Sequence, residues 1–326
     1  MKQIKNILAV ATMLALPMTF TSCEDILGEW SKPVPSQGKF IVYTDKDTKT
    51  FVDIPADAIV WTGTVAPGDL AAGTYVVEGE AVCSGKIILQ GETKLILKDG
   101  AKLTVNRFSY VTGGILNIYG QSNDEATMGQ LVCNEGIAAG EINIYGGNIT
   151  TTGGASIPAV QSYAADMTIY AGILRATSAS VVGILVDPNK TLTINGGTVI
   201  ARSSAPNCQA GISTGSVLIN GGTVEAYGSN TPNGNGQGAP GILYKMSFDY
   251  QGGSLTAICG APTSATPSSC AIAKGTVDSY VAGSLHNTSA AAVTVKTSTD
   301  RTSWTGTQNI DAGAMQALDF KGIKIE

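Results

Sequence analysis

Across the middle of the chain one alternation of apolar and polar positions recurs. In "INIYGGNITTT", "MTIYAGILRATS", "LTINGGTVIARSS", "VLINGGTVEAYGS" and "FDYQGGSLTAI" two short alternating runs flank a turn of small residues. In the first run the pairs Ile142/Ile144, Met167/Ile169, Leu192/Ile194, Val217/Ile219 and Phe248/Tyr250 fall on one side. In the second, Ile149, Leu174, Val199, Val224 and Leu255 share a side with the smaller Thr151, Ala176, Ala201, Ala226 and Ala257 two residues on. A third apolar column follows, made of Val160, Ile184, Ile212, Ile242 and Ile272. A period of two is the signature of a strand with one face inward, so each repeat predicts three short strands.

The spacing says how these strands associate. Tyr145, Tyr170, Asn195 and Asn220 are equivalent and stand 25 residues apart, and the step to Gln251 is lengthened by "NTPNGNGQGAP". A three-strand coil of about 25 residues that rests on the next coil places equivalent residues roughly 4.8 Å apart. Inward positions then tile a continuous core and stay apolar, while outward positions are free to vary. The expected fold class is all-β, a parallel β-helix with three strands per coil. A sandwich or propeller of antiparallel hairpins is the rival, but it offers no reason to keep one column small through five units.

The β-helix is expected over residues 61–285, with a C-terminal β cap over 286–326. Residues 23–60 are expected to hold a linker and a capping hairpin, "KFIVYTDKDTKTFVDI", because a solenoid has open strand edges at both ends. Residues 72–106 alternate as strongly but lack the Gly-Gly corner, and read as the first, irregular coils.

Residues 1–22 read as a signal peptide: Lys2 and Lys5 precede an apolar stretch that ends in "FTSC". This ending resembles the lipobox of bacterial lipoproteins, which implies lipidation of Cys23. Glu24 and Asp25 directly after it are similar to the surface-export signals of Bacteroidota lipoproteins. The expected location is therefore the outer membrane, exposed at the cell surface, with membrane contact through the lipid anchor only.

Composition narrows the partners. The chain has 25 acidic and 20 basic residues and no basic run, so nucleic acid is not an expected partner. Cys83, Cys133, Cys208, Cys259 and Cys270 show no metal-binding spacing, and neither a metal site nor a cofactor is implied. Cys259 and Cys270 flank one loop, and a disulfide and a pair of buried thiols both fit.

"GTYVVEG", "LILKDGAKLTVN" and "LNIYGQS", followed by the "INGGTV" repeats, are similar to a family of extracellular bacterial right-handed parallel β-helix proteins. Many of these are described as carbohydrate-binding-domain-containing surface lipoproteins of gut bacteria. The resemblance covers roughly residues 61–284 and implies a right-handed coil and an extracytoplasmic location. It brings no catalytic residue that matches a position here.

Polysaccharide lyases and glycoside hydrolases of pectate-lyase-like fold need clustered carboxylates or calcium-binding acids on one outer face. No two acids occupy adjacent coils of one face in the repeat alignment, and His286 reads as a solvated loop residue beyond the repeats. The reading is therefore a non-catalytic, lipid-anchored surface protein that binds glycan or another surface component, or adheres. An enzyme of the same fold and a structural spacer are the alternatives.

Two outward surfaces are candidates. Tyr119, Tyr145, Tyr170, Asn195 and Asn220 form a column of phenols followed by amides, suited either to a glycan or simply to holding coil registry. Arg175, Arg202, Glu225 and Tyr227 lie on the second strand, where Arg202 is expected to pack on the Tyr227 ring, within a site or a salt-bridged face. Tyr244 follows the first long insertion. The link from the second to the third strand grows from Ala176–Ile184 to Ala226–Ile242, so insertions gather at one corner.

Overall fold

The computed structural model describes residues 38–234, 236–261, 270–276 and 278–326. The signal segment, Cys23, Glu24 and Asp25 lie outside the described residues. Those described contain strands and turns and no helix. Of the strands, 29 join one sheet, in which parallel pairing dominates.

Three ladders make up that sheet. The first runs through Glu92–Leu97, Ile115–Gly120, Glu141–Ile144, Met167–Ile169, Thr191–Ile194, Ser216–Ile219 and Phe248–Tyr250. The second comprises Lys102–Tyr110, Gln130–Cys133, Asn148–Thr152, Ile173–Ser178, Thr198–Ser203, Thr223–Tyr227 and Ser254–Ile258. In the third, Ile137–Ala139, Val160–Ser162, Ile184–Val186, Ile212–Thr214, Ile242–Tyr244 and Ile272–Thr276 follow one another. Every one of these pairings is parallel, which rules out antiparallel hairpins here.

Registers match the repeat alignment residue for residue. Val199 pairs with Val224 and Ala201 with Ala226. Ile184, Ile212, Ile242 and Ile272 follow one another in the third ladder. These inward columns are buried and belong to one core that extends from Trp61 to Ile325. Each large apolar side chain taken fully out of water contributes about 1.5–3 kcal/mol, so the stacked columns carry most of the driving force.

The corners explain why the glycines are copied. Gly172, Gly197, Gly222 and Gly253 all have positive φ, between 74° and 94°. A Cβ on any of them would come within 2.5 Å of the carbonyl oxygen of the glycine one repeat earlier. Steric exclusion by backbone and left-handed torsion thus act together at each corner.

Upstream, Gly73–Leu89 is one strand of 17 residues that pairs first with Glu92–Leu97 and then with Lys102–Tyr110. A register shift between Cys83 and Lys86 bends it where later repeats use a glycine corner. At the other end, Ser284–Asn287 extends the first ladder by one parallel strand, so the repeats reach slightly past the expected boundary. Antiparallel strands then close each ladder: Met315–Ala317 on the first, Gly322–Ile325 on the second and Ser279–Ala282 on the third.

The N-terminal hairpin departs from expectation. Lys39–Tyr43 pairs with Lys49–Asp53 in a separate two-stranded sheet and joins no open strand edge. It lies flat on the outside of the first ladder, where Phe40 and Ile54 bury Val76, Ile96 and Tyr119. These three are outward residues in consecutive register. An apolar outward row must be covered, and the apolar alternation of the hairpin supplies the cover.

The corner geometry gives a direct test. Gly222→Ala should lower stability by about 2 kcal/mol or more, as backbone strain and a clash against carbonyl combine. Gly234→Ala, whose added carbon meets nothing within 4 Å, should change it little. Urea unfolding midpoints compare the two, and equal effects would contradict the seating of one repeat on the next.

Candidate ligand-binding surfaces

The tyrosine column forms as the spacing requires. The Tyr119 and Tyr145 rings stack at 4.6 Å and 9°, and Tyr145 and Tyr170 at 4.8 Å and 8°. The column is not open, however. Phe40 meets Tyr119 edge-on at 4.9 Å and leaves it 6% exposed. Tyr145 packs against the same cluster, and Tyr43 stacks on Tyr170 at 5.9 Å. Burial raises the Tyr119 hydroxyl, with Tyr145 and Glu92 adding to it, so the phenol stays protonated. The phenol half is therefore mostly interface with the hairpin, which corrects its reading as a solvent-facing row.

The amide half stays accessible. Asn220 Nδ2 donates to Asn195 Oδ1 at 2.8 Å, and both residues are half-buried. Where phenols give way to amides, the hairpin leaves a cleft of about 390 Å3 lined by Tyr43, Lys46, Asn123, Glu125, Tyr170 and Asn195 among others. Asn123 Nδ2 donates to the Tyr43 hydroxyl at 2.7 Å and fixes that ring. Arg175 donates to Glu125 at 2.9 Å and to Asn148 Oδ1 at 2.8 Å, holding the carboxylate at the cleft wall. The cleft offers a ring edge, amides, a cation and an anion on a small area. Tyr43, Lys46, Asn123 and Glu125 were missed in the sequence because they lie outside the periodic columns.

On the second ladder, the Arg202 guanidinium lies 4.1 Å over the Tyr227 ring, as expected for equivalent positions on neighbouring repeats. The Tyr227 hydroxyl donates to Glu225 Oε2 at 2.9 Å, and Arg202 approaches the same oxygen at 3.7 Å. Burial raises the Tyr227 hydroxyl most, and the bond to Glu225 raises it further. These three groups satisfy one another, while Arg175 belongs to the hairpin cleft instead. An exposed ion pair of this kind adds about 0–1 kcal/mol.

Two residues stand elsewhere than expected. Tyr244 is a core residue, 2% exposed. Its hydroxyl donates to the Ser284 carbonyl at 2.9 Å and accepts from the Ser284 amide at 2.7 Å. It follows Ile242 by two positions and so shares its inward face, which removes it from any binding surface. His286 is not a loop residue but lies in a strand opposite Asp249, with Nδ1 2.8 Å from Asp249 Oδ1. Their separation falls outside the repeat period, so the alignment did not pair them.

Described residues around the long corner pack together. Cys208, Ala210, Ala239, Leu243, Cys270, Ala273 and Tyr280 form a small second core outside the first. The Tyr280 hydroxyl pins it by donating to the Gly238 carbonyl at 2.6 Å. Beside this core, a groove of about 530 Å3 runs along the outer face of the third ladder.

The cysteines resolve into buried thiols. Cys259 and Cys270 are free, as are Cys83, Cys133 and Cys208. Burial pushes Cys133 up to about 11 and Cys259 and Cys270 up to about 12, well above the ordinary thiol value. Among the described residues no group of three or more His, Cys, Asp or Glu is placed to hold a metal ion. Comparisons of the chain with protein-family models, with curated proteins and with solved structures find no match.

Iodoacetamide at pH 8 should leave these five thiols unmodified in the folded protein and modify all five in guanidinium, mapped by mass spectrometry. Only the thiolate reacts; burial closes access to all five, and at Cys133, Cys208, Cys259 and Cys270 it also suppresses thiolate formation. Ready labelling of Cys208 or Cys270 in the folded state would contradict the second core.

Proposed function

We propose that this chain is an exported, lipid-anchored and non-catalytic protein that binds a glycan on the outside of a right-handed parallel β-helix. The three parallel ladders with equivalent residues in register support the coil. Its hand follows from the family resemblance and from the strong preference of parallel crossover connections for right-handedness. The acidic chain, the leader ending in Cys23 and the two acids after it support anchoring at the outer membrane with the body exposed.

The observation that carries the binding function is the seat of Tyr43 on Tyr170, beside the hydrogen-bonded amides of Asn195 and Asn220. Sugar C–H faces pack on aromatic rings, and hydroxyls pair with side-chain amides that both donate and accept. Repeats spaced by roughly 4.8 Å nearly match the advance of a linear sugar chain, so successive amides would meet successive residues. Lys46 and Glu125 at the same cleft would select the charge and orientation of the chain. The hairpin is then part of the recognition surface as well as a cover for Val76 and Ile96.

One observation favours an enzyme instead: the Asp249–His286 pair, in which a carboxylate orients an imidazole as in general-base sites. A hydrolase needs a second acid across the scissile bond, and no such partner faces this pair in the repeat alignment.

A polysaccharide array read by calorimetry decides between them. We expect binding without new reducing ends or unsaturated products. Tyr43→Ala and Asn195→Ala should each weaken it about tenfold, the effect of one lost hydrogen bond or stacked ring, and Arg202→Ala should not. Depolymerisation abolished by His286→Ala would establish the enzyme, and binding indifferent to Tyr43 and Asn195 would remove this cleft.

A further inference from the structure

We infer a second, separate site: the groove on the third ladder takes an N-acetylated amino sugar, whose acetamido N–H donates to Gln161 while its methyl group packs on Leu185 and Leu243. This goes beyond the hairpin cleft and uses none of its residues.

The case begins with an unpartnered acceptor. Gln161 points outward from the third ladder, in register between Ala138 and Leu185. It is nonetheless only 7% exposed, and its Oε1 has no hydrogen-bond partner among the described residues. A buried carbonyl oxygen without a donor is costly, and native proteins keep few of them. Gln161 lines the groove, and a turn of its side-chain amide would bring that oxygen to a bound donor.

The surroundings define the donor. Along the same outward row come Leu185, Ser213 and Leu243, with Val182 on one wall. The ligand must therefore carry an N–H or O–H directly beside a small apolar group. An acetamido substituent is such a group. A plain hexose would set a hydroxyl against the leucines, and an acyl chain would leave Gln161 unpaired. An extended peptide could not add a strand, because the backbone of this ladder already pairs along both edges. At one end of the groove stands Tyr163, 43% exposed, its ring backed by Tyr110 at 5.3 Å. It offers a platform for the pyranose face next to the acetamido group. A volume of about 530 Å3 lies within the usual range for small-ligand pockets and accommodates a short oligosaccharide.

The test is calorimetry of the full chain with an N-acetylglucosamine trimer and a glucose trimer. We expect the N-acetylated trimer to bind and the glucose trimer to bind at least tenfold more weakly. Gln161→Leu should weaken the first at least tenfold while leaving the thermal midpoint unchanged or higher, since the variant removes an unsatisfied buried group. A glutamine kept for structure would lower the midpoint. Leu185→Lys, which fills the groove with a charged chain, should abolish binding, and Tyr43→Ala should not alter it. The inference fails if neither trimer binds, if both bind equally, or if Gln161→Leu leaves the affinity unchanged. Loss of binding in Tyr43→Ala would also overturn it, by moving the ligand to the hairpin cleft. An octanoate or apolar peptide that binds the groove independently of Gln161 would overturn it too.

Discussion

The carbonyl oxygen of Gly197 lies 2.5 Å from any Cβ added at Gly222, and the same gap recurs at Gly172 and Gly253. No side chain fits there. Consecutive repeats are seated backbone against backbone at this corner, and the seating sets the register of all three ladders. Once Gly222 lies on Gly197, Val224 must lie on Val199 and Ala226 on Ala201. A change of volume in one inward column is then felt by the repeats above and below it, because the close-packed interior has no slack to absorb it. The outward positions escape that constraint, and Thr177, Arg202, Tyr227 and Ile258 can follow one another in a single column.

That freedom produces three different outer surfaces on one core. Along the first ladder, Val76, Ile96 and Tyr119 are too apolar for water, and a hairpin from earlier in the chain covers them. Along the second, Arg202, Glu225 and Tyr227 neutralise one another and need no partner. Along the third, Val181, Val182 and Ala210 flank the row that contains Leu185 and Leu243, and Gln161 has an oxygen without a donor among the described residues. A surface already satisfied has little to gain from a ligand, whereas an unpaired acceptor or a half-covered row of amides does. The two candidate sites therefore lie where cover stops or pairing is incomplete.

Whatever repeats was legible in the sequence. The inward columns, the parallel pairing, the small column at Ala201 and the packing of Arg202 on Tyr227 all follow from alternation and period. Non-periodic contacts were not legible. Nothing near Tyr43 signals that its ring reaches Tyr170, because that contact depends on the hairpin lying on a side and not across an end. Asp249 and His286 are neighbours only because the chain adds one more parallel strand after an irregular segment. Tyr244 was misplaced for a simpler reason. Its strand is so short that two residues decide which way the third one faces, and the polar tip of a tyrosine hides how often its ring is core.

The insertions at the long corner lengthen connections the fold does not need, which by itself would weaken the protein. Loop closure argues otherwise: doubling a flexible connection costs only about 0.6 kcal/mol. Against this stands the burial of Leu243, Tyr280 and the alanines and cysteines around them, where one large side chain contributes about 1.5–3 kcal/mol. The extended link from Ala226 to Ile242 can therefore support itself by placing Ala239 in the second core beside Cys208, Leu243 and Cys270. The second core shares Ala210 and Leu243 with the lining of the groove, so the burial that holds the insertion also holds one side of the groove in place. Gln161 stands on the same outward row as Leu243, and its unpaired oxygen gives a ligand seated there a hydrogen bond to complete.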